Sequence, residues 1–298
     1  MTSLFCRHNR LTAKCPICSR ELEAELRAKA PSRPARTRTP SSSRSSTPKR
    51  AARPSGGVVT KRLYRAADDG YSNPLVPGLR GTADAERLAL AIGAASKRLE
   101  PPGPYESVAT EPDLEEATWL AFLLALVGPE APELQAAVEA ARPSWAGGEL
   151  PGLPEAQQRT AAAYRAWAER AGSQQAAFTG EPGWTPERRF ARVFERLALP
   201  GFGRGPRFDL LATLGAAGRY DVKAGELQLG VEDDAATLAA KRVLLSGDKM
   251  LLERRARELA AACEVPLAAL DRGFAVFGTP GADPGTVALP TVRSALKL

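Results

Sequence analysis

Cys6, His8, Cys15 and Cys18 bring three of the chain's four cysteines and its only histidine into residues 6–18, in the pattern Cys-x-His-x6-Cys-Pro-Ile-Cys. Thiolates and imidazole are ligands suited to tetrahedral zinc, and a Cys-x-x-Cys turn can direct two sulfurs at one ion. Four protein ligands leave no coordination position for a substrate, so the expected ion is a structural Zn2+. The ligand mix and count favour zinc over iron. Leu4, Phe5, Leu11, Ile17 and Leu22 are too few for a core, so a piece this small needs the metal to fold. The alternative is free thiols beside a surface histidine. Either way, no histidine is left for catalysis elsewhere in the chain.

Two later segments have turn chemistry that could hold a phosphate. Leu199-Pro200-Gly201-Phe202-Gly203-Arg204-Gly205-Pro206-Arg207 lies between two helical patterns and has the outline of a helix-hairpin-helix. Gly201 and Gly203 allow positive φ and close approach, so backbone N–H groups at the new helix start could bind a phosphate, with Arg204 and Arg207 beside them. An ordinary αα corner packed on Phe202 and Phe208 fits the same residues. In the second segment, a helix carrying Lys241 and Arg242 breaks at Ser246-Gly247 and another begins at Asp248. Asp248 is either an N-cap or a carboxylate poised over a phosphate-binding turn, able to accept a proton.

The elements that must position these groups read as helices. A stretch from Thr82 places Leu88, Ala91, Ile92, Ala95 and Leu99 on one face and ends at Pro101-Pro102-Gly103. A second, from near Pro112, groups Leu114, Ala117, Leu120, Leu124 and Val127 and stops at Gly128-Pro129; it is apolar on most sides and should be central. Further helical patterns lie near 131–141, 155–171, 186–198, 204–215, 234–245, 248–263 and 266–276. Strand-like alternation is confined to Glu226-Leu227-Gln228-Leu229, too short to anchor a sheet. The fold class is therefore all-α, with about eight to ten short helices.

Charge divides the chain more sharply than hydropathy does. Between Arg27 and Arg65 there are 12 Lys/Arg and no Asp or Glu, whereas from Ala66 onward 25 cations face 31 acids, a net of −6. Residues 31–57 have no apolar side chains besides proline and alanine, so they cannot offset the entropy of ordering. They read as a disordered basic tether, either a spacer or an arm that holds phosphate backbones without regard to sequence. The expected domains are a zinc knuckle (1–26), a basic linker (27–65), a helical body (66–278) and a C-terminal tail (279–298). No apolar run approaches the roughly 20 residues of a membrane span, and the first residues lack a signal-peptide pattern. Clustered cysteines without a disulfide framework fit a reducing cytoplasm.

A resemblance follows from these segments in combination: Phe178-Thr179-Gly180-Glu181-Pro182 through Trp184-Thr185-Pro186-Glu187-Arg188-Arg189-Phe190, then Gly-Phe-Gly-Arg with Arg207-Phe208-Asp209-Leu210-Leu211, then Ala-Ala-Lys241-Arg242-Val with Gly247-Asp248 and Leu-Glu-Arg-Arg-Ala. Together they resemble the α-glutamyl/putrescinyl thymine pyrophosphorylases, relatives of the helix-hairpin-helix DNA glycosylases. The likeness covers most of 66–278, and the Cys-x-His…Cys-Pro-x-Cys knuckle looks like a companion of that domain. The resemblance implies a glycosylase-like helical fold acting on a DNA base. An amine such as glutamate or putrescine would displace pyrophosphate from an activated hydroxymethyluracil. It further implies that Lys241, Arg242, Arg207 and Arg189, with Gly201, Gly203 and Gly247, hold phosphate, and that Asp209 and Asp248 are the candidate catalytic carboxylates. The second turn departs from the pattern, reading Leu245-Ser246-Gly247 in place of a fuller Gly-x-Gly. A glycosylase, a non-enzymatic nucleic-acid-binding module, and RNA or a modified nucleotide as substrate are the alternatives.

Overall fold

A computed structural model of the chain describes residues 67–147, 150 and 152–298. Cys6, His8, Cys15 and Cys18 and the 27–65 linker lie outside them. The described residues belong to one compact unit, form twelve helices and contain no strand. In chain order these are α1 (Thr82–Arg98), α2 (Glu106–Thr110), α3 (Leu114–Val127), α4 (Pro132–Ala141), α5 (Glu155–Arg170) and α6 (Gln174–Thr179). Then come α7 (Pro186–Arg196), α8 (Arg204–Ala216), α9 (Ala235–Val243), α10 (Lys249–Cys263), α11 (Leu267–Gly278) and α12 (Pro290–Leu296).

Local chemistry sets the ends. Asp113 caps α3 by accepting from the N–H of Glu115 at 2.8 Å and of Glu116 at 3.1 Å, and Gly128 ends that helix. Thr185 caps α7 with Pro186 at its first position, and Asp234 caps α9 through Thr237 N–H at 2.8 Å. α1 stops at Arg98, just before the proline pair that removes donors.

Packing follows the apolar faces. Every residue of α3 from Ala117 to Val127 is buried, so this helix is central, and α2, α4, α5, α6 and α8 all pack on it. α11 plays the same part for α1, α9 and α10, and its contact with α8 joins the two groups. Aromatic rings tie the hairpin into this core. Phe122 of α3 stacks on Tyr164 of α5 with centroids 3.8 Å apart and meets Phe202 at 5.1 Å, while Phe190 of α7 meets Phe208 of α8 edge-on at 5.1 Å.

The long helices lie where their periodicity places them, and the three shortest of the rest, α2, α6 and α12, escape the pattern. The C-terminal tail corrects most. Val292 and Leu296 of α12 are fully buried, and Leu296 and Ala295 carbonyls accept from Tyr71 Oη at 2.6 Å and Asn73 Nδ2 at 2.9 Å. Residues 279–298 therefore close the body and are not an appendage. The alternation at 226–229 is a loop whose two leucines are buried. The Glu253 carboxylate of α10 accepts from Leu227 N–H at 2.8 Å and Leu229 N–H at 2.6 Å, taking the place of a strand partner.

Candidate functional site

Between α7 and α8 the chain turns with positive φ at Gly201 but not at Gly203. Gly201 takes φ 77°, and a Cβ there would lie 2.4 Å from Thr160 Oγ1, so glycine is needed for conformation and for contact with α5. Gly203 is the N-cap of α8 in extended conformation. The anion seat at that helix start is filled by the chain itself. Glu232 accepts from Arg204 N–H at 3.1 Å through one oxygen and from Arg207 Nη2 at 3.0 Å through the other. Its neighbours do the same work. Asp233 pairs with Lys241 Nζ at 2.5 Å, and Asp234 with Arg204 Nε at 2.7 Å. The acidic run Glu232-Asp233-Asp234 thus neutralises three cations beside the two hairpins, which sequence spacing did not reveal.

Arg207 is further committed: it is buried, its guanidinium lies 4.6 Å from the Phe194 ring centroid, and its Nε donates to Gly203 O at 3.2 Å. Arg242 is held by Asp84 of α1 and lies over the Phe277 ring of α11. In the second turn the left-handed residue is Leu245, at φ 50°, and Gly247 is not strained. Asp248 is an exposed N-cap that accepts from Leu251 N–H at 2.8 Å. Asp209 faces inward from α8; its Oδ2 is buried and has no hydrogen-bond partner among the described residues. Its charge adds to burial in raising the pKa of Tyr105 and of Asp271. Asp209 and Asp248 therefore occupy different settings.

Among the clefts of the described body, three of about 560, 580 and 500 Å3 are lined by other residues than Asp209, Asp248, Arg207, Lys241 or Arg242. In two of the three, the charged groups are mostly spent on internal partners. Glu115 accepts from the N–H groups of Gln174 and Gln175, Arg98 donates to Tyr105 Oη at 2.7 Å, and Arg272 reaches Glu130.

The cleft of about 560 Å3 differs. Leu99, Phe190, Ala212, Val222 and Leu267 give it apolar walls, and Asp221 and Lys223 give it opposite charges. Arg189, the remaining predicted cation, explains why Asp221 is there. From α7 it donates through Nε to Thr179 O at 2.7 Å, through Nη2 to Trp184 O at 3.1 Å and through Nη1 to Asp221 Oδ2 at 3.0 Å. The Asp221 side chain remains 75% exposed, so one buried arginine fixes a carboxylate that solvent and a ligand can reach. Lys223 has no carboxylate partner among the described residues. Tyr220 turns its hydroxyl inward to Thr118 Oγ1 at 2.8 Å, and burial pushes its pKa up to about 12, so it supplies wall and no acid. The cleft is also bordered by the start of α11, whose N-cap is Pro266 without a side-chain cap, leaving helix N–H groups to a ligand or water. A lone aspartate in the long connection 217–234 between α8 and α9 has no spacing signal, which is why Asp221 is not singled out by the sequence.

Fold and cleft together define an all-α body with an apolar cavity that carries a fixed carboxylate, a lysine and an uncapped helix start. Comparison with protein-family models, curated proteins and solved structures found no match to this chain.

Proposed function

We propose that the chain is a DNA-base-modifying enzyme that displaces pyrophosphate from an activated hydroxymethyluracil with an amine, and that the Asp221 cleft is its site. The observation that carries this is a cleft with apolar walls lined by both Asp221, oriented by buried Arg189, and Lys223. A planar base fits between such walls. The amine nitrogen attacks the base's methylene carbon, the carbon–oxygen bond breaks, and pyrophosphate departs with the bonding electrons. Asp221 accepts the proton that the amine loses, acting as general base. Lys223 and the uncapped start of α11 offset the charge on the leaving pyrophosphate. In this reading the helix-hairpin-helix at 186–216 is a scaffold, the Cys6/His8/Cys15/Cys18 knuckle holds a structural zinc, and the 27–65 cations supply phosphate affinity that the acidic body lacks.

The test is to incubate the full chain with DNA carrying the pyrophosphorylated base and a panel of amines, then digest to nucleosides for mass spectrometry. An amine adduct is expected. Asp221→Asn should lower turnover by roughly 100-fold or more while thermal stability holds. Asp248→Asn should be silent, since asparagine caps a helix as well as aspartate does. An abasic product in place of an adduct would make the chain a glycosylase.

A second reading has its own observation. The acidic run 232–234 occupies the cations that would hold a leaving pyrophosphate at the hairpins, which leaves phosphate affinity to the 27–65 cations, the arrangement of a non-enzymatic nucleic-acid-binding module tethered by its basic arm. Neither adduct nor base loss across the panel, with DNA binding retained, is the outcome that selects it.

A further inference from the structure

The cleft of about 500 Å3 is lined by two cations and two acids that do not meet: Arg98 of α1, Arg272 of α11, Glu139 of α4, and Asp283 in the connection to α12. No two of these four close to ion-pair distance; three are held by neutral groups of their own wall. Arg98 donates through Nη2 to the Tyr105 hydroxyl at 2.7 Å, and its guanidinium carbon lies 5.0 Å from that ring's centroid. Glu139 Oε1 accepts from Ser107 Oγ, and Asp283 Oδ1 accepts from Gly285 N–H at 2.8 Å. Such partners fix a side chain without cancelling its charge. Arg272 has a carboxylate partner, Glu130, but it is 3.5 Å away, outside the cleft lining and 66% exposed, so water screens the pair.

Tyr105 adds a donor with nothing to donate to. Its Oη accepts from Arg98 Nη2 and from Gln135 Nε2, both at 2.7 Å, and its own proton meets no acceptor among the described residues. Gln135 Nε2 also donates to Leu124 O at 3.3 Å, which sets the orientation of that amide. Tyr105 is 8% exposed and borders the cleft. Burial and the charge of Asp209 raise its pKa, so the phenol keeps its proton. The opposite wall is firm. A Cβ on Gly285 would lie 2.8 Å from Ala94 Cβ, so the connection that carries Asp283 is seated closely on α1.

Charge decides what such a cleft can hold. A plain anion would meet Glu139 and Asp283, and a plain cation would meet Arg98 and Arg272. A molecule with one charge of each sign offsets both kinds, and side chains already fixed apart lose little freedom in receiving it. Glu139 is the acid nearer the phenol, since it lies one turn from Gln135 on α4 and is bonded to Ser107, two residues past Tyr105. We propose that this cleft binds a small zwitterion, a free amino acid whose carboxylate accepts from Tyr105 Oη and Arg98 while its ammonium lies against Glu139. The site is independent of the function proposed above, whose cleft shares none of these residues.

Calorimetric titration of the full chain with the common amino acids tests this, followed by the amide and the N-acetyl derivative of each one that binds. At least one amino acid should bind. Its amide lacks the carboxylate and its N-acetyl form lacks the ammonium, so each should bind about tenfold more weakly or worse. Arg98→Gln and Glu139→Gln should weaken binding by a similar factor with the urea midpoint held, and Tyr105→Phe should weaken it less. Should a variant fail to fold, the derivative series on the parent chain decides alone. No binding by any amino acid at millimolar concentration overturns the proposal. So does a derivative that binds as tightly as its parent, which would mark a site for a single charge. Asp221→Asn separates the two clefts. Binding lost in that variant and kept in Glu139→Gln places the ligand at Asp221 and sinks the zwitterion site. Binding unchanged in Asp221→Asn supports the zwitterion site even if the modification assay yields no base product.

Discussion

Arg204 is only 1% exposed; it donates through Nε to Asp234 Oδ2 at 2.7 Å and through Nη1 to Leu227 O at 2.8 Å, and forms an ion pair with Asp271 Oδ1, 2.9 Å from Nη1. Read from sequence, it is a candidate phosphate ligand; in the structure it is the centre of a buried ionic network. Burial alone would lower its pKa, and the two carboxylates outweigh that and hold it above its usual value. The Asp271 pKa is raised as well: burial raises it more than Arg204 lowers it. Removing the arginine therefore strands a buried carboxylate. Arg204→Met should cost about 3–5 kcal/mol at neutral pH, measured by urea unfolding. A carboxyl whose folded-state pKa is raised favours folding below its unfolded pKa, and that contribution is lost as pH rises through the folded value. The deficit of Arg204→Met should therefore be greatest near neutrality and shrink on acidification toward pH 3.8, the ordinary value for Asp271. A deficit that does not change with pH would mean Asp271 is not the group left stranded.

At the scale of elements, the α7–α8 turn is where glycine matters for two reasons at once. Gly201→Ala puts a Cβ 2.4 Å from Thr160 Oγ1, and that hydroxyl donates to Pro200 O at 3.0 Å, so it cannot move aside without losing a bond that fixes the turn. Gly218 has a similar φ of 65° and open space around it. Gly218→Ala should cost about 1 kcal/mol for conformation alone, and Gly201→Ala about 2–4 kcal/mol because the clash adds to it. Equal losses in the two unfolding curves would show that the α5 contact is not tight. What the sequence made legible depended on element length. α1, α3, α10 and α11 each repeat their apolar face over three turns or more, enough for periodicity to show. α2 has five residues and buries only Val108, and α12 declares itself through Val292 and Leu296 alone. The 226–229 loop misleads for a different reason: Leu227 and Leu229 alternate as in a strand because both point into the core, while Glu253 on a distant helix supplies the acceptors. The hairpin glycines and caps were readable because their chemistry is local. The acidic run 232–234 and Asp221 were not, because their partners lie up to 32 residues away in sequence.

At the scale of the whole molecule, charge and cysteine are both segregated, and the two patterns bear on each other. The body from Ala66 carries a net charge of −6, so attraction for phosphate should come chiefly from the 12 cations between Arg27 and Arg65. Cysteine divides the same way, with three in the proposed knuckle and one in the body. Cys263 of α10 is fully buried and free, and burial pushes its thiol up to about 11, so it should not react near neutral pH while the body is folded. That makes the four thiols a readout for the metal. Protein purified without chelator should contain about one zinc per chain and show no fast-reacting thiol. A chelator should release the zinc and expose the thiols of Cys6, Cys15 and Cys18, because a thiolate bound to zinc is not available to a thiol-reactive dye. Cys263 should react only when urea unfolds the body, in step with the loss of helical signal. Three fast thiols in metal-free protein as purified would remove the knuckle. A Cys263 that reacts together with them would mean the body opens when the metal leaves, and would tie its stability to the zinc.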